Sequence, residues 1–224
     1  MLIGFPQLLD KVNEHIDRLD YAREPMNLYE PVKYILALGG KRIRPVMMLM
    51  AYNMYRDDVD KILDPALALE IYHNFTLLHD DLMDNADVRR GKPTVHKRWD
   101  ANTAILSGDV MLSLADVYMS RIDDAYFRQV MATFHQTSIE IAEGQQYDMD
   151  FETRTDVAEQ EYIEMIRLKT SVLLACALKI GAILGGASED DAAHLYRLGE
   201  CIGRAFQLRD DSLDVYGDPK GFGQ

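Results

Sequence analysis

The stretch Ile71–Asp84, IYHNFTLLHDDLMD, carries apolar residues at helical spacing up to a cluster of three aspartates, Asp80, Asp81 and Asp84. A second copy of the DDxxD pattern, Asp210, Asp211 and Asp214, follows in Ala205–Asp214, AFQLRDDSLD. On a helix the first and last Asp of each copy share one face, a single turn apart. Like charges at that spacing repel and Asp is a weak helix former, so both clusters ask for positive compensation. Hard divalent cations such as Mg2+ take oxygen ligands, commonly one or two carboxylates completed by waters and substrate phosphates. The paired clusters therefore imply a phosphate substrate held by Mg2+ between two facing helices.

Apolar residues recur at helical spacing through most of the chain, and alternating strand-like runs are almost absent. The spacing predicts helices over 6–20, 28–38, 42–56, 62–84, 101–120, 123–147, 156–184 and 188–216. Gly39-Gly40 stops one of them, Arg44-Pro45 sits in the first turn of the next, and Asp64-Pro65 opens the fourth. Gly185-Gly186 followed by Ser188 reads as a helix stop and a new N-cap. Short loops between such helices imply antiparallel neighbours, so the fold class expected is all-α, one single-domain antiparallel helical bundle over residues 1–224. VRRGKP, Val88–Pro93, interrupts the pattern as a basic loop after the first Asp cluster, and the closing GDPKGFGQ reads as a loop cut short.

At 224 residues the chain can bury a substantial core. A net charge of −13 with no basic stripe argues against nucleic acid as a partner. Both cysteines, Cys176 and Cys201, lie in apolar helical segments, which reads as buried thiols in a reducing, cytoplasmic setting. The N-terminus lacks the basic region and cleavage site of a signal peptide. The most apolar run, Val172–Gly186, is broken by Lys179 and reads as too short for stable membrane insertion.

His73, Leu77, Asp80 and Asp84 form one helical stripe with polar groups at its ends, on a segment too apolar for full exposure. Gln207, three residues before Asp210, faces the same way and carries an amide donor suited to a phosphate oxygen. Gln145 and Asp148 form a further polar pair at i,i+3. A diphosphate also asks for fixed cations, and Arg offers a planar fork for phosphate oxygens. Lys41, Arg42 and Arg44 follow the glycine turn, Arg89 and Arg90 follow the first Asp cluster, and Lys169-Thr170 interrupt a long apolar helix.

Together GGKRIRP, LLHDDLMDNADVRRG, KTS and FQLRDDSLD resemble the trans-isoprenyl diphosphate synthases, the polyprenyl synthetase family, from Gly39 to Pro219. The resemblance implies an isoprenoid-synthase bundle with a central cavity and head-to-tail condensation of isopentenyl diphosphate with an allylic diphosphate. It implies Mg2+ on Asp80, Asp84 and Asp210, with Asp81, Asp211 and Asp214 in support. Arg89, Lys169, Gln145, Asp148 and Gln207 would hold the allylic diphosphate, with Thr170 beside them. Lys41, Arg44, His73 and Arg90 would bind isopentenyl diphosphate. The family is commonly homodimeric. It also runs on past the second Asp cluster through further helices and a loop Lys, where this chain has Gln224.

The growing hydrocarbon must run along an apolar wall below the first cluster. Phe75 and Thr76 lie five and four residues before Asp80, a drop of about 6–8 Å along the helix. Thr76 shares the face of Asp80, whereas Phe75 is displaced around the helix. A single aromatic there resembles short-chain members making fifteen- or twenty-carbon products. Two other readings stand beside this one: a catalytically silent partner subunit of a prenyl synthase, and an HD-type metal phosphohydrolase built on His79-Asp80.

Overall fold

A computed structural model describes residues 2–19, 21 and 23–216, with side chains up to residue 213. Asp214's side chain and the terminal GDPKGFGQ, Gln224 included, lie outside the described residues. The helices run α1 (Phe5–Asp17), α2 (Met26–Ala37), α3 (Ile43–Asn53), α4 (Leu63–Met83), α5 (Val95–Arg98), α6 (Ala101–Met119), α7 (Asp124–Phe151), α8 (Glu159–Ile166), α9 (Val172–Gly185) and α10 (Glu189–Tyr216). Each expected helix is present within a few residues of its expected ends, so the all-α class holds. The stop and start signals act as read. Gly186 adopts a left-handed φ of 86° and caps α9 through its N–H to the Ala182 and Ile183 carbonyls. Ser188 then accepts the Asp191 N–H at 3.1 Å.

Three features depart from the expected pattern. Val88–Pro93 is a two-stranded hairpin, Val88–Arg89 against Lys92–Pro93, too short to show an alternating pattern. The helix expected over 156–184 is interrupted by a π turn at Arg167–Ser171, so that Lys169 and Thr170 stand in a widened turn. Cys201 is exposed: only Cys176 is a buried thiol, and burial pushes it up to about 12.

The chain divides into two compact units, one of Ile3–Val46 with Asp60–Ile122, the other mainly of Met47–Val59 with the chain from Asp123 onward. In the first, α4 packs on α6 with α1, α2 and α5 around them. Arg121 donates to Asp64 at 3.1 Å and His79 meets the Ile105 carbonyl at 3.2 Å, so α4 and α6 run antiparallel. In the second, α9 is the core. Every residue of α9 except Lys179 is buried, as expected of a helix that is apolar all round. Gly199 of α10 packs against Ala175 and Gly203 against Ser171, the falling numbers of an antiparallel pair. Taken with α8, Glu159–Gly185 is a 27-residue helix long and apolar enough to cross a membrane, which corrects the shorter run read from sequence. However, 83% of its most apolar window is buried inside the protein, the mark of a core helix.

Candidate active site

The first unit concentrates arginines around one imidazole. The turn after α2 is left-handed at Gly39 (φ 78°) and Arg42 (φ 48°), and the hairpin is left-handed at Arg90 (φ 52°). The two loops meet, because Arg90 donates to the Gly39 carbonyl. Gly40 has a φ of 145°, a conformation that favours glycine, and a Cβ there would crowd the Arg90 guanidinium at 3.0 Å. Burial first, then the charges of Arg44, Arg90, Arg89 and Arg42, hold His73 well below its usual value. Burial and the neighbouring Arg42 likewise lower Arg90. Arg44 Nε is buried without a partner, an orphan donor of the kind an anion would satisfy. Lys41, on the same loop, is exposed.

His73 is therefore expected to stay neutral on acidification to well below the ordinary imidazole value near 6.5. The unfolded chain takes up that proton first, so His73 contributes stability that is complete above about 6.5 and lost as the pH falls below it. An NMR titration of the His73 ring in the ligand-free protein checks this, and a midpoint at or above 6.5 contradicts it.

At the far end of α4 the three aspartates separate. Asp81 is buried and paired with Arg89, whose Nε donates to both its oxygens at 2.9 and 2.8 Å and whose Nη2 lies 2.7 Å from Oδ1. Asp80 is half-buried and Asp84, the C-cap of α4, is exposed. These two carboxylates form an oxygen-only donor set one turn apart, suited to a hard cation that keeps waters and phosphate oxygens. Among the described residues no three His, Cys, Asp or Glu side chains converge as a ready-made metal cage. His79 is turned toward α6, stacked edge-on with Phe75 at 4.9 Å, and a Cβ on Gly108 would fall 2.1 Å from its Nε2. The His-Asp pair of an HD phosphohydrolase is thus drawn off toward helix packing. Phe75 also meets Tyr72 edge-on at 5.5 Å, while Thr76 bonds back to the His73 carbonyl at 2.8 Å.

The second unit holds the other half of the expected residues. Lys169 pairs with Asp148 at 2.5 Å, so the polar residue read beside Gln145 meets the cation read on the apolar helix. Thr170 donates to Gln207 Oε1 at 2.9 Å, and Gln207 donates onward to Asp211 Oδ1 at 2.7 Å. The Gln207 amide is thus engaged one turn along α10, with Asp211. Tyr162 of α8, not singled out in the sequence, donates to the other Asp211 oxygen. Burial, then that carboxylate, push Tyr162 up to about 12, so it remains a donor. Asp210 is half-buried on α10, with Gln145 half-buried on α7. Glycine contacts set the π turn: a Cβ on Gly144 would lie 2.4 Å from Lys169 N, and one on Gly203 2.5 Å from Ser171 Cα.

A family model described as Polyprenyl synthetase matches residues 25–224. The chain belongs to the polyprenyl synthetase family. Among its relatives is a geranylgeranyl diphosphate synthase of Methanosarcina mazei, 45% identical over 206 residues, 91% of this chain and 64% of that protein. Another is a geranylfarnesyl diphosphate synthase of Natronomonas pharaonis, 42% identical, the match covering 91% of this chain and 65% of the relative. A crystal structure of a geranylgeranyl pyrophosphate synthase superposes with a TM-score of 0.94 at 49% identity, covering 99% of this chain and 68% of that one. The polyprenyl synthetase chain described here thus spans somewhat under two thirds of the length of these two curated relatives. Its helices have the isoprenoid-synthase fold that the sequence motifs implied.

Proposed function

We propose that this polyprenyl synthetase condenses isopentenyl diphosphate with an allylic diphosphate, head to tail, in a Mg2+-dependent reaction giving a fifteen- or twenty-carbon trans-prenyl diphosphate. The observation that carries this reading is the arginine cluster around a neutral His73, on the same helix as the Asp80–Asp84 pair. One set of groups suits an anion without metal and the other suits an anion with metal, so two kinds of diphosphate chemistry meet along α4.

In this reading Lys41, Arg44, His73 and Arg90 hold isopentenyl diphosphate. Arg89, Lys169, Thr170, Gln145, Asp148 and Gln207 orient the allylic diphosphate. Asp80, Asp84 and Asp210 hold Mg2+, which when bound neutralises negative charge on the leaving diphosphate. Asp81 and Asp211 support them by fixing Arg89 and Gln207. As the allylic carbon–oxygen bond breaks, the cationic side chains stabilise the diphosphate anion. The double bond of isopentenyl diphosphate then attacks the allylic cation, and the proton lost passes to the departed diphosphate. No side chain needs to act as a nucleophile. The same reading includes a homodimer, supported by the exposed apolar residues Ile105, Leu106 and Val117 of α6, and a cytoplasmic location, supported by two free cysteines.

The test is incubation of the protein with Mg2+, isopentenyl diphosphate and dimethylallyl, geranyl or farnesyl diphosphate, as this chain and extended to its relatives' length. A prenyl diphosphate lengthened by one or more isoprene units is expected. No product from the extended protein overturns the reading. Relatives of near-equal identity are named for products of different length, so the wall residues need their own test. Thr76→Phe is expected to shorten the main product by at least one isoprene unit, seen by chromatography of the dephosphorylated alcohols. An unchanged length removes this face of α4 from control of length.

A further inference from the structure

The arginine cluster includes a buried ion pair that the proposed reaction does not use. Arg42 and Glu70 are 5% and 2% exposed, and Arg42 Nη1 donates to Glu70 Oε1 at 2.6 Å. The second terminal nitrogen of Arg42 donates at 2.7 Å to the Leu36 carbonyl, in the last turn of α2. The Arg42 carbonyl accepts the Val46 N–H at 3.2 Å and so opens α3. Glu70 is gripped in turn by Asn74, which donates to its side chain at 3.0 Å and to its carbonyl at 2.8 Å. One residue with a left-handed backbone thus ties the end of α2, the start of α3 and the middle of α4 together.

Left-handed φ is costly for a residue with a Cβ, and it persists only where the surroundings over-determine it. Here they do, through both terminal nitrogens of the fork and the backbone carbonyl. Both terminal nitrogens of the Arg42 guanidinium are spent inside the protein, although its charge bears on His73. Its two sequence neighbours carry the proposed ligands: Lys41 just before it, Arg44 two residues after. Their direction depends on the conformation of Arg42.

We propose that Arg42 and Glu70 are a positioning pair for the isopentenyl diphosphate side of the site, acting by fixing the Gly39–Arg42 turn. This rests on the prenyl-transfer reading, and it adds two residues that touch no substrate. A buried ion pair is a weak source of net stability, and replacing both partners by apolar side chains of similar volume is often neutral. Positioning and stability can therefore be separated. The double substitution Arg42→Met with Glu70→Leu removes one charge of each sign, so the long-range field on an incoming anion is unchanged.

The double variant is expected to keep its helicity and its thermal midpoint within a few degrees. Its affinity for isopentenyl diphosphate, measured by calorimetry, should weaken roughly tenfold or more, as misplaced binding groups do. Geranyl diphosphate with Mg2+ should bind as in the parent. Glu70→Gln supplies a sign test. It adds net positive charge while weakening the charge-assisted bond to Arg42, so electrostatics alone predicts tighter binding of isopentenyl diphosphate, whereas loosened positioning predicts weaker binding. If the double variant does not fold, Arg42→Lys serves in its place, keeping the charge but losing the fork that reaches Leu36. Parent-like binding of isopentenyl diphosphate by the folded double variant, or by Arg42→Lys in its place, overturns the positioning pair alone, as does tighter binding by Glu70→Gln. A parent protein that binds no isopentenyl diphosphate overturns the functional reading itself.

Discussion

Changing Asp80 and Asp84 together to Asn is expected to lower Mg2+-dependent prenyl transfer by at least about a thousandfold while leaving the helices intact. The size follows from what the pair supplies. Loss of a preorganised group that stabilises developing charge costs two to three orders of magnitude in ordinary cases, and here the metal that serves the leaving group goes with it. The stability change should have the opposite sign. In the parent, two carboxylates one turn apart repel, so neutralising them should make the metal-free protein more stable by about 0.2–0.5 kcal/mol. A ligand that binds only the folded state raises the midpoint by mass action, so Mg2+ with an allylic diphosphate should raise it in the parent and leave the variant unmoved. Thermal melts with and without Mg2+, run beside the transfer assay, check both signs. A variant whose midpoint still rises, or which retains transfer, contradicts the assignment.

The second large effect is expected at Gly144. A methyl group there would enter backbone, 2.4 Å from Lys169 N and 2.7 Å from Leu168 C, rather than the far end of a flexible side chain. Neither neighbour can swing aside, so either α7 or the π turn must move. Overpacking of this kind costs about 1–3 kcal/mol, and more where backbone is the obstacle. For a protein of this size that lowers the thermal midpoint by about 2–4 °C per kcal/mol. The functional cost should exceed the stability cost. Lys169 and Thr170 stand on the turn that is displaced, and a shift of 1 Å in a positioning group is worth about a hundredfold in rate. Gly144→Ala should therefore unfold at lower temperature and lose affinity for geranyl diphosphate with Mg2+ while still binding isopentenyl diphosphate. Equal losses for both substrates would point to general unfolding instead.

The helices were legible because their apolar periodicity is strong and their ends carry local chemistry that does not depend on packing, as at Gly186 and Ser188. The residues of the arginine cluster were legible as motifs, but their division of labour was not. In GGKRIRP the three cations look equivalent, and only the structure separates Arg42, whose two terminal nitrogens are spent on Glu70 and the Leu36 carbonyl, from Arg44 and the exposed Lys41. The same holds for DDxxD. Asp81 follows Asp80 by one residue, about 100° around the helix, and that rotation takes it into a buried pair with Arg89. A usable signal was present at Glu70, a lone acid inside the apolar run PALALEIYHNF, since a buried charge needs a partner. Tyr162 gave none: a tyrosine on an amphipathic helix is ordinary until Asp211 is seen beside it. The exposure of Cys201 was equally hidden, because α10 is apolar on one face only and periodicity does not fix which side a cysteine joins.

The π turn bears on how this chain should be compared with others. It holds one residue more than an α-helical turn needs, so the faces of α8 and α9 are out of phase by one position. Ile166 and Leu173 look like members of a single wheel stripe only if that slip is ignored. Aligned with a helix that lacks the turn, this chain requires a one-residue gap within 167–171. A gap placed anywhere else would shift every residue between it and the turn by one position.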